Sequence, residues 1–237
     1  MLHIENFTKI YPGGTKAVDN LTLHVEAGDL YGFIGHNGAG KTTTIRSAVG
    51  ILPFENGEIT IDGHSIKKEP VACKKMLAYL PDDPQLYEAL TGIQYINFIA
   101  DLYSISKDDR KRRTQKYAEM FEIEANLNSP ISSYSHGMKQ KIALISAFVH
   151  EPRLLVLDEP FIGLDPKASF TMKSIMKEFC AEGNAIFFST HILEVAEKLC
   201  TKIAIIKNGS LIASGDTDTV RGTQTLENVF LELTDNE

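Results

Sequence analysis

The sequence predicts an α/β fold with a parallel-sheet core, an N-terminal antiparallel β subdomain and a helical insertion at about residues 86–150. Three observations lead to this prediction. Apolar strand patterns alternate with helical patterns in the second half of the chain, which is typical of a parallel sheet covered by helices. In about the first sixty residues the apolar residues alternate with a period of two, as in antiparallel strands, and residues 86–150 show three- and four-residue spacing. We therefore treat residues 1–237 as one domain with the helical segment inserted in it.

The N-terminal β subdomain is predicted from alternation and from turn residues. Leu21, Leu23 and Val25 occupy every second position, and the sequence EAGD then turns the chain. The apolar stretch DLYGFIG that follows is predicted to be a buried strand. Ile59 and Ile61 lie in a further strand, which NG and DG turn signals bound on either side.

The remaining elements follow in order. The sequences QLYEALTGIQYINFIADLY and DDRKRRTQKYAEMFEI have helical spacing and begin the insertion. Strands return at LLVLDE and AIFFST, with helices between and after them. Asn208-Gly209 joins two strand patterns and is a strong hairpin signal. The tail, residues 216–237, is polar and then weakly amphipathic, and we predict one small helix in it.

Composition narrows the range of functions. The formal net charge of -7 argues against general nucleic-acid binding, so no nucleic-acid partner is expected. Three widely spaced cysteines, Cys73, Cys180 and Cys200, favour a reduced cytosolic compartment. No signal peptide is expected from the first residues. Apolar stretches fall short of the roughly 18 residues that span a bilayer, so work at a membrane would require another chain.

A phosphate-binding loop is predicted where YGFIGHNGAGKTTT carries the pattern G-x-x-x-x-G-K-T between a strand and a helix. The glycines allow backbone N–H groups to surround a phosphate. Lys41 is expected to reach the β- and γ-phosphates, Thr42 to ligate Mg²⁺ and Thr43 to contact an inner phosphate. A glycine-rich turn that binds nothing is the alternative, and the flanking strand and helix argue against it. The candidate residues are Gly35, Asn37, Gly38, Ala39, Gly40, Lys41, Thr42 and Thr43.

Two acids and a histidine end other predicted strands, at the sheet edge where ligands of parallel sheets bind. Asp158 is the candidate Mg²⁺ carboxylate. By strand alternation Glu159 should point to the opposite side, where it could orient and deprotonate the attacking water. His191 could hydrogen-bond a γ-phosphate. Taken alone, these are an ordinary acidic strand end and a structural histidine.

A second anion-binding turn is predicted at ISSYSHGMKQK. Ser135 and Gly137 precede the apolar-periodic run KQKIALISAFV, so a capped helix N-terminus with free N–H groups is expected. Since the chain already has a phosphate loop about a hundred residues earlier, the second turn requires an explanation.

Together these motifs resemble the nucleotide-binding subunit of an ABC transporter, over nearly the whole chain. The matching stretches are Tyr11 in KIYPGG, the loop GHNGAGKT, the signature YSHGMKQ, the acidic strand LLVLDEP, the turn GLDP with Asp165, and STH with His191. Their order and spacing match as well.

The resemblance implies the P-loop NTPase core of the ABC ATPase fold, with ATP and Mg²⁺ as cofactors and Tyr11 stacking on adenine. It implies a head-to-tail dimer, with itself or with a related ATPase chain, around two ATP molecules. Ser135 and Gly137 would then grip the partner's γ-phosphate, and Asp165 would lie in a loop that crosses the interface. Glu159, His191 and Lys41 would be the catalytic residues.

At two positions the chain departs from the commonest family pattern. His136 stands where glycine is usual, which indicates either a backbone that tolerates a side chain or a proton-sensitive phosphate contact. Asp82, in AYLPDDPQLY, stands where glutamine or glutamate senses magnesium and water. We keep Asp82 as a metal-site candidate, and we assign no role to the nearby Gln85.

The resemblance implies an ATPase subunit on transmembrane permease subunits, peripheral at the cytoplasmic face of the cell membrane. The signature and the tail TLENVFLELT look like drug, peptide or antimicrobial exporter subunits of the ABC-2 kind. An importer subunit, a soluble ABC ATPase of an assembly or nucleic-acid process, and a P-loop kinase or GTPase are the alternatives.

The run of basic residues near residue 112 is interpreted as either a solvated helix face or a lipid contact. The aromatic residues near residue 95 indicate either core packing or a groove for a helix of the membrane subunit.

Overall fold

The computed structural model describes residues 1–235. Its strands are β1 (Leu2–Ile10), β2 (Lys16–Val25), β3 (Leu30–Ile34), β4 (Asn56–Ile61), β5 (His64–Ser65), β6 (Leu77–Leu80), β7 (Leu154–Asp158), β8 (Ala185–Thr190), β9 (Lys202–Lys207) and β10 (Ser210–Asp216). Its helices are α1 (Lys41–Ala48), α2 (Pro70–Met76), α3 (Gly92–Leu102), α4 (Lys107–Phe121), α5 (His136–Val149), α6 (Pro166–Ala181), α7 (Leu193–Leu199), α8 (Thr217–Arg221) and α9 (Leu226–Asp235).

The larger sheet has the strand order β10-β9-β3-β8-β7-β6 and is parallel except for β10 at its edge. Every residue of β3, β7 and β8 is buried, because the smaller sheet and α1 cover one face and helices cover the other. In the register, Ile34 pairs with Thr190 and Asp158 pairs with Ser189. The chain segments that follow these three strands therefore start at one edge of the sheet.

The smaller sheet is antiparallel, with the order β2-β1-β4-β5. Leu21, Leu23 and Val25 are buried while the residues between them are exposed, as the alternation predicts. Strand β1, which our sequence analysis did not assign, pairs with both β2 and β4.

The prediction that residues 86–91 are helical is wrong. Helix α3 begins only at Gly92, because Thr91 caps it in a reciprocal capping box with Gln94. The residues just before it form a turn, in which the N–H of Leu90 donates to the carbonyl of Tyr87 at 2.9 Å, and the carbonyl of Leu90 accepts a hydrogen bond from the N–H of Ile131 at 2.9 Å. Between α4 and α5 the chain forms only two short 3₁₀ turns.

The C-terminal part contains the predicted hairpin and one more helix than expected. Asn208 and Gly209 both have positive φ, at 49° and 81°, as a two-residue turn between β9 and β10 requires. The tail forms α8 and α9 in place of one small helix, and Gly222 separates them. The treatment of residues 1–237 as one domain stays a prediction.

Candidate functional site

The phosphate loop joins β3 to α1. Gly40 has a φ of 109°, and a Cβ at this position would lie 2.5 Å from the carbonyl oxygen of Ala17, so only glycine fits. The loop is anchored from behind, since Gly209 N–H donates to the carbonyl of Ala39 at 2.9 Å. Gly35 is buried against β9, where its Cβ would lie 2.5 Å from the oxygen of Ile206.

Lys41, at the start of α1, lies under this loop with 6% of its surface exposed. Its Nζ donates to the carbonyls of Gly35 at 2.6 Å and His36 at 3.3 Å. Burial lowers the pKa of Lys41, and the charges of Glu159 and Asp158 act in the opposite direction. A lysine in these surroundings can exchange its carbonyl partners for the oxygens of a phosphate, which is a stronger, charge-assisted acceptor.

Asp158 ends strand β7 and is 1% exposed. Ser189 Oγ donates to its Oδ1 at 2.5 Å. Its Oδ2 is buried and has no hydrogen-bond partner among residues 1–235. A buried carboxylate oxygen without a partner is costly and is well suited to a cation. Asp158 and Thr42 both line the cavity described below, so these two residues fit a Mg²⁺ ion that also binds nucleotide phosphates.

Glu159 does not follow the alternation that the sequence suggested. The strand ends at Asp158, and Glu159 adopts a left-handed conformation with a φ of 50°. Its backbone N–H donates to Ser189 Oγ at 3.0 Å, so one buried hydroxyl holds both acidic residues. As a result, the two acids line the same cavity instead of facing opposite sides of a strand. Such backbone conformations cost free energy and are concentrated at functional sites.

The carboxylate of Glu159 connects a cation and an imidazole. Its Oε1 lies 2.9 Å from His191 Nδ1 and 3.7 Å from Lys41 Nζ, and its side chain is 12% exposed. A carboxylate held in this way beside a phosphate loop can orient a water molecule and accept its proton.

A cavity of about 340 Å³ lies at this edge of the sheet. The predicted site residues that line it are Asn37, Gly38, Gly40, Lys41, Thr42, Thr43, Asp82, Asp158, Glu159 and His191. The sequence analysis missed three further lining residues, Ala17, His36 and Ile162, and it missed the link through Ser189. The STH motif contains Ser189 and could have drawn attention to it, whereas no sequence signal marks Ala17. Among residues 1–235, no group of three or more His, Cys, Asp or Glu side chains could hold a metal ion by itself.

Tyr11 and Asp82 lie at the border of the cavity. Tyr11 is 37% exposed, and its hydroxyl lies 3.3 Å from Thr43 Oγ1. Asp82 is an exposed lining residue. Gln85 instead donates to Asp83 at 2.8 Å and lines a different groove.

The turn at Ser135 has its predicted helix cap but does not line this cavity. Ser135 caps α5, and its Oγ accepts a hydrogen bond from the N–H of Met138 at 3.3 Å. Gly137 approaches the GLDP segment closely, because a Cβ on it would lie 2.8 Å from the oxygen of Gly163. The ring of His136 also lies against Gly163. These residues are accessible from outside the chain, since Ser135 and His136 are exposed.

Asp165 caps α6 and also lies outside the cavity. Its Oδ1 accepts from the N–H of Ala168 at 2.7 Å, and its Oδ2 lies 3.4 Å from Lys141 Nζ. The hydrogen bond from Ala168 holds the pKa of Asp165 below its usual value, and the charge of Lys141 adds to the effect.

An apolar groove of about 240 Å³ lies between the segment at 78–86 and helices α3 and α5. Leu102 lines it and is 65% exposed, and the exposed rings of Tyr87 and Phe98 meet at 5.5 Å. His150 stacks on Tyr103 at 3.8 Å between ring centroids. Burial lowers the pKa of His150 to about 4.

Within the described part of the chain, no helix is both long and apolar enough to cross a membrane.

A parallel sheet with a phosphate loop after β3 and two acids at the end of β7, with β8 between these two strands, is typical of the P-loop nucleotide-binding proteins. Comparison with known proteins then gives the family. The family model described as "ABC transporter" matches residues 18–162. The chain belongs to the ABC transporter family, as an ATP-binding domain.

Two curated relatives from Bacillus subtilis (strain 168) resemble the chain over most of its length. The ABC-type transporter ATP-binding protein EcsA is 34% identical over 99% of this chain and 96% of its own. The linearmycin resistance ATP-binding protein LnrL is 33% identical over 91% of this chain and 69% of its own.

Solved structures share the fold. An ATP-binding subunit of an ABC transporter superposes with a TM-score of 0.95 and 35% identity, covering 99% of both chains. A dimeric ATP-binding cassette with ADP and Pi superposes with a TM-score of 0.84 and 22% identity, covering 92% of this chain and 99% of the other. The second likeness shows the fold alone.

Proposed function

We propose that this chain is the ATP-hydrolysing subunit of an ABC exporter, acting on a membrane partner from the cytoplasmic face of the cell membrane. The single observation that carries the proposal is that its two predicted anion-binding turns lie in different surroundings. The phosphate loop lines a cavity together with Asp158, Glu159 and His191, whereas the turn at Ser135 is exposed and does not line that cavity.

Within its own chain, the phosphate loop binds the triphosphate and Lys41 contacts the β- and γ-phosphates. Glu159 holds the attacking water and accepts its proton, with its carboxylate oriented by His191 at 2.9 Å. Thr42 and Asp158 would hold Mg²⁺, which neutralises phosphate charge when bound. Ser189 supports this arrangement, because it bonds both to Asp158 and to the backbone of Glu159.

The other turn binds the nucleotide of a second ATPase subunit. Ser135 and Gly137 lie at the N-terminus of α5, a 14-residue helix whose dipole favours an anion. Two chains arranged head to tail would complete two sites, with Asp165 near the junction. The GLDP segment is suited to sense this junction, because it touches Gly137 in the same chain. Loss of the γ-phosphate on hydrolysis then loosens the dimer.

The apolar groove is the proposed docking site for a cytoplasmic helix of the membrane partner. A short segment connects it to the nucleotide, since Asp82 lines the cavity while Pro84, Gln85 and Leu86 line the groove. Movement of this segment with nucleotide state would reach the membrane partner directly.

Export of a drug, peptide or antimicrobial is the favoured direction of transport. The signature and tail sequences support it, and so does the resemblance to a linearmycin resistance protein. An importer subunit and a soluble ABC ATPase remain the competing hypotheses.

The testing experiment uses the full chain co-expressed with candidate membrane partners, taken from multi-span membrane proteins encoded beside it. Leu102→Asp should reduce co-purification with the membrane partner by about tenfold, because it places a charge on the apolar groove, while nucleotide binding is kept. Phe170→Asp is the matched control, since Phe170 is 72% exposed on α6 and does not line the groove. Equal co-purification of both variants would show that the groove is not the docking site. Failure of the wild-type chain to co-purify with a membrane protein, with recovery of the chain on ribosomes or assembly factors instead, would contradict a transport function.

A further inference from the structure

The tail helix α9 contacts the phosphate loop directly. The ring of Phe230 meets the ring of His36 in an edge-to-face arrangement, with 4.8 Å between centroids and an angle of 64°. Phe230 is 5% exposed, and His36 lines the nucleotide cavity. The carbonyl of His36 also accepts the hydrogen bond from Lys41 Nζ at 3.3 Å. One aromatic contact therefore joins the tail to a residue that holds the phosphate-binding lysine.

The C-terminal end of α9 is fastened beside the same loop. Lys207 Nζ donates to the carbonyl of Thr234 at 2.8 Å, which places a cation at the negative end of the helix. Lys207 ends β9, and the turn that follows it holds the loop through the bond from Gly209 to Ala39. The anchor of the helix and the anchor of the loop are thus neighbouring residues.

The N-terminal end of α9 is fastened to α7. The N–H of Leu226 donates to Glu197 Oε2 at 2.8 Å, and Arg221 lies 3.8 Å from the same carboxylate. Leu226 is fully buried. Since α7 begins two residues after His191, α9 spans the distance between the segment that follows the histidine and the phosphate loop.

We propose that α9 is a nucleotide-positioning element, in which Phe230 holds His36 and thereby sets the phosphate loop for ATP. Phe230 acts through His36 and is a positioning residue, because it does not line the cavity. The inference rests on the proposed function, since it concerns ATP at this loop. Ordinary core packing of the tail would predict stability effects alone, so binding and stability must be measured separately.

The test measures MgATP affinity of the full chain by titration calorimetry, with urea unfolding in parallel. Phe230→Leu retains an apolar side chain but removes the ring, and it should raise the Kd for MgATP about three- to tenfold, the value expected for one lost aromatic pair. The KM for MgATP should rise by the same factor, with kcat nearly unchanged. The matched control is Leu231→Ala, since Leu231 is 46% exposed on the same helix, and its Kd should stay near that of the wild type.

A double-mutant cycle completes the test. His36→Ala should weaken MgATP binding to a similar extent, and the double variant should be little worse than either single variant. An unchanged Kd in His36→Ala, strictly additive effects, or equal Kd values for Phe230→Leu and Leu231→Ala would overturn the inference. Failure of the wild-type chain to bind MgATP would overturn the proposed function instead.

Discussion

The two anion-binding turns of this chain have similar sequences of small residues but opposite surroundings. The turn at residues 35–40 lines one cavity together with the buried Lys41, three acids and His191, and we call it the enclosed turn. The turn at Ser135 is exposed and does not line that cavity. Under the proposed function, the first turn binds a nucleotide and activates it for hydrolysis, and the second turn contributes to a nucleotide bound by a partner chain. The difference explains why one protein would carry both.

The largest expected effect is that of Glu159→Gln, which removes the base of the enclosed turn. Turnover should fall about 10²- to 10⁴-fold, the usual contribution of positioned acid–base catalysis, while ATP binding is kept and the dimer persists. Phosphate release and size-exclusion chromatography with ATP measure the two quantities. Glu178→Gln, an exposed change on α6, is the control. Turnover within about twofold of the wild type would exclude Glu159 as the base.

Ser135→Arg tests the exposed turn. It should reduce hydrolysis about 10²-fold, as for the loss of a donor to transition-state charge, because the larger side chain blocks the approach of the partner's nucleotide. Nucleotide binding by the monomer, measured by calorimetry, should not change. Ser132→Arg, at a nearby exposed position, serves as the comparison. Equal loss of monomer binding would show that the second turn works within its own chain.

Ser189→Ala tests how the enclosed turn keeps its acids in place. Removing the hydroxyl leaves Asp158 Oδ1 and the N–H of Glu159 without their partner. At about 1–3 kcal/mol for an unsatisfied buried group, kcat should fall roughly tenfold to a hundredfold. Ser174→Ala is the control, since its hydroxyl bonds only to the backbone of its own helix. A normal kcat in Ser189→Ala would mean that the acids are positioned by the backbone alone.

The smallest expected effect concerns the stability of the fold at low pH and involves neither turn. Burial lowers the pKa of His150 to about 4, so the unfolded chain binds a proton below pH ~6.5 that the folded chain does not. The free energy of unfolding should therefore fall by up to about 3 kcal/mol between pH ~6.5 and ~4 through this group. Urea unfolding of the wild type and of His150→Gln over this pH range measures the contribution of His150. Identical dependence of the free energy of unfolding on pH in the two proteins would exclude that contribution.

The sequence predicted the enclosed turn well because its residues are contiguous, with Gly40, Lys41 and Thr42 inside one motif between a strand and a helix. It also predicted the cap at Ser135 for the same reason. Residues joined only by tertiary contacts were missed. Ser189 meets Asp158 across neighbouring strands, and Phe230 reaches the loop from nearly two hundred residues away.

Local backbone geometry explains the incorrect predictions. The direction of Glu159 could not be read from alternation, because its left-handed φ is set by the turn that ends the strand. Apolar spacing at 86–91 suggested a helix, but Thr91 and Gln94 form a cap that places the start at Gly92. In both cases a periodic pattern extended past the residue where the element ends or begins.

Mixing two inactive chains tests the central claim most directly. One carries Lys41→Ala with Glu159→Gln, and the other carries Ser135→Arg with Glu159→Gln. If the turns belong to sites shared between chains, the mixed dimer has one intact site, so size-exclusion chromatography with labelled ATP should show a dimer with one ATP per two chains. Neither variant alone should form it. A mixture that behaves as the sum of its separate components would contradict the shared-site account.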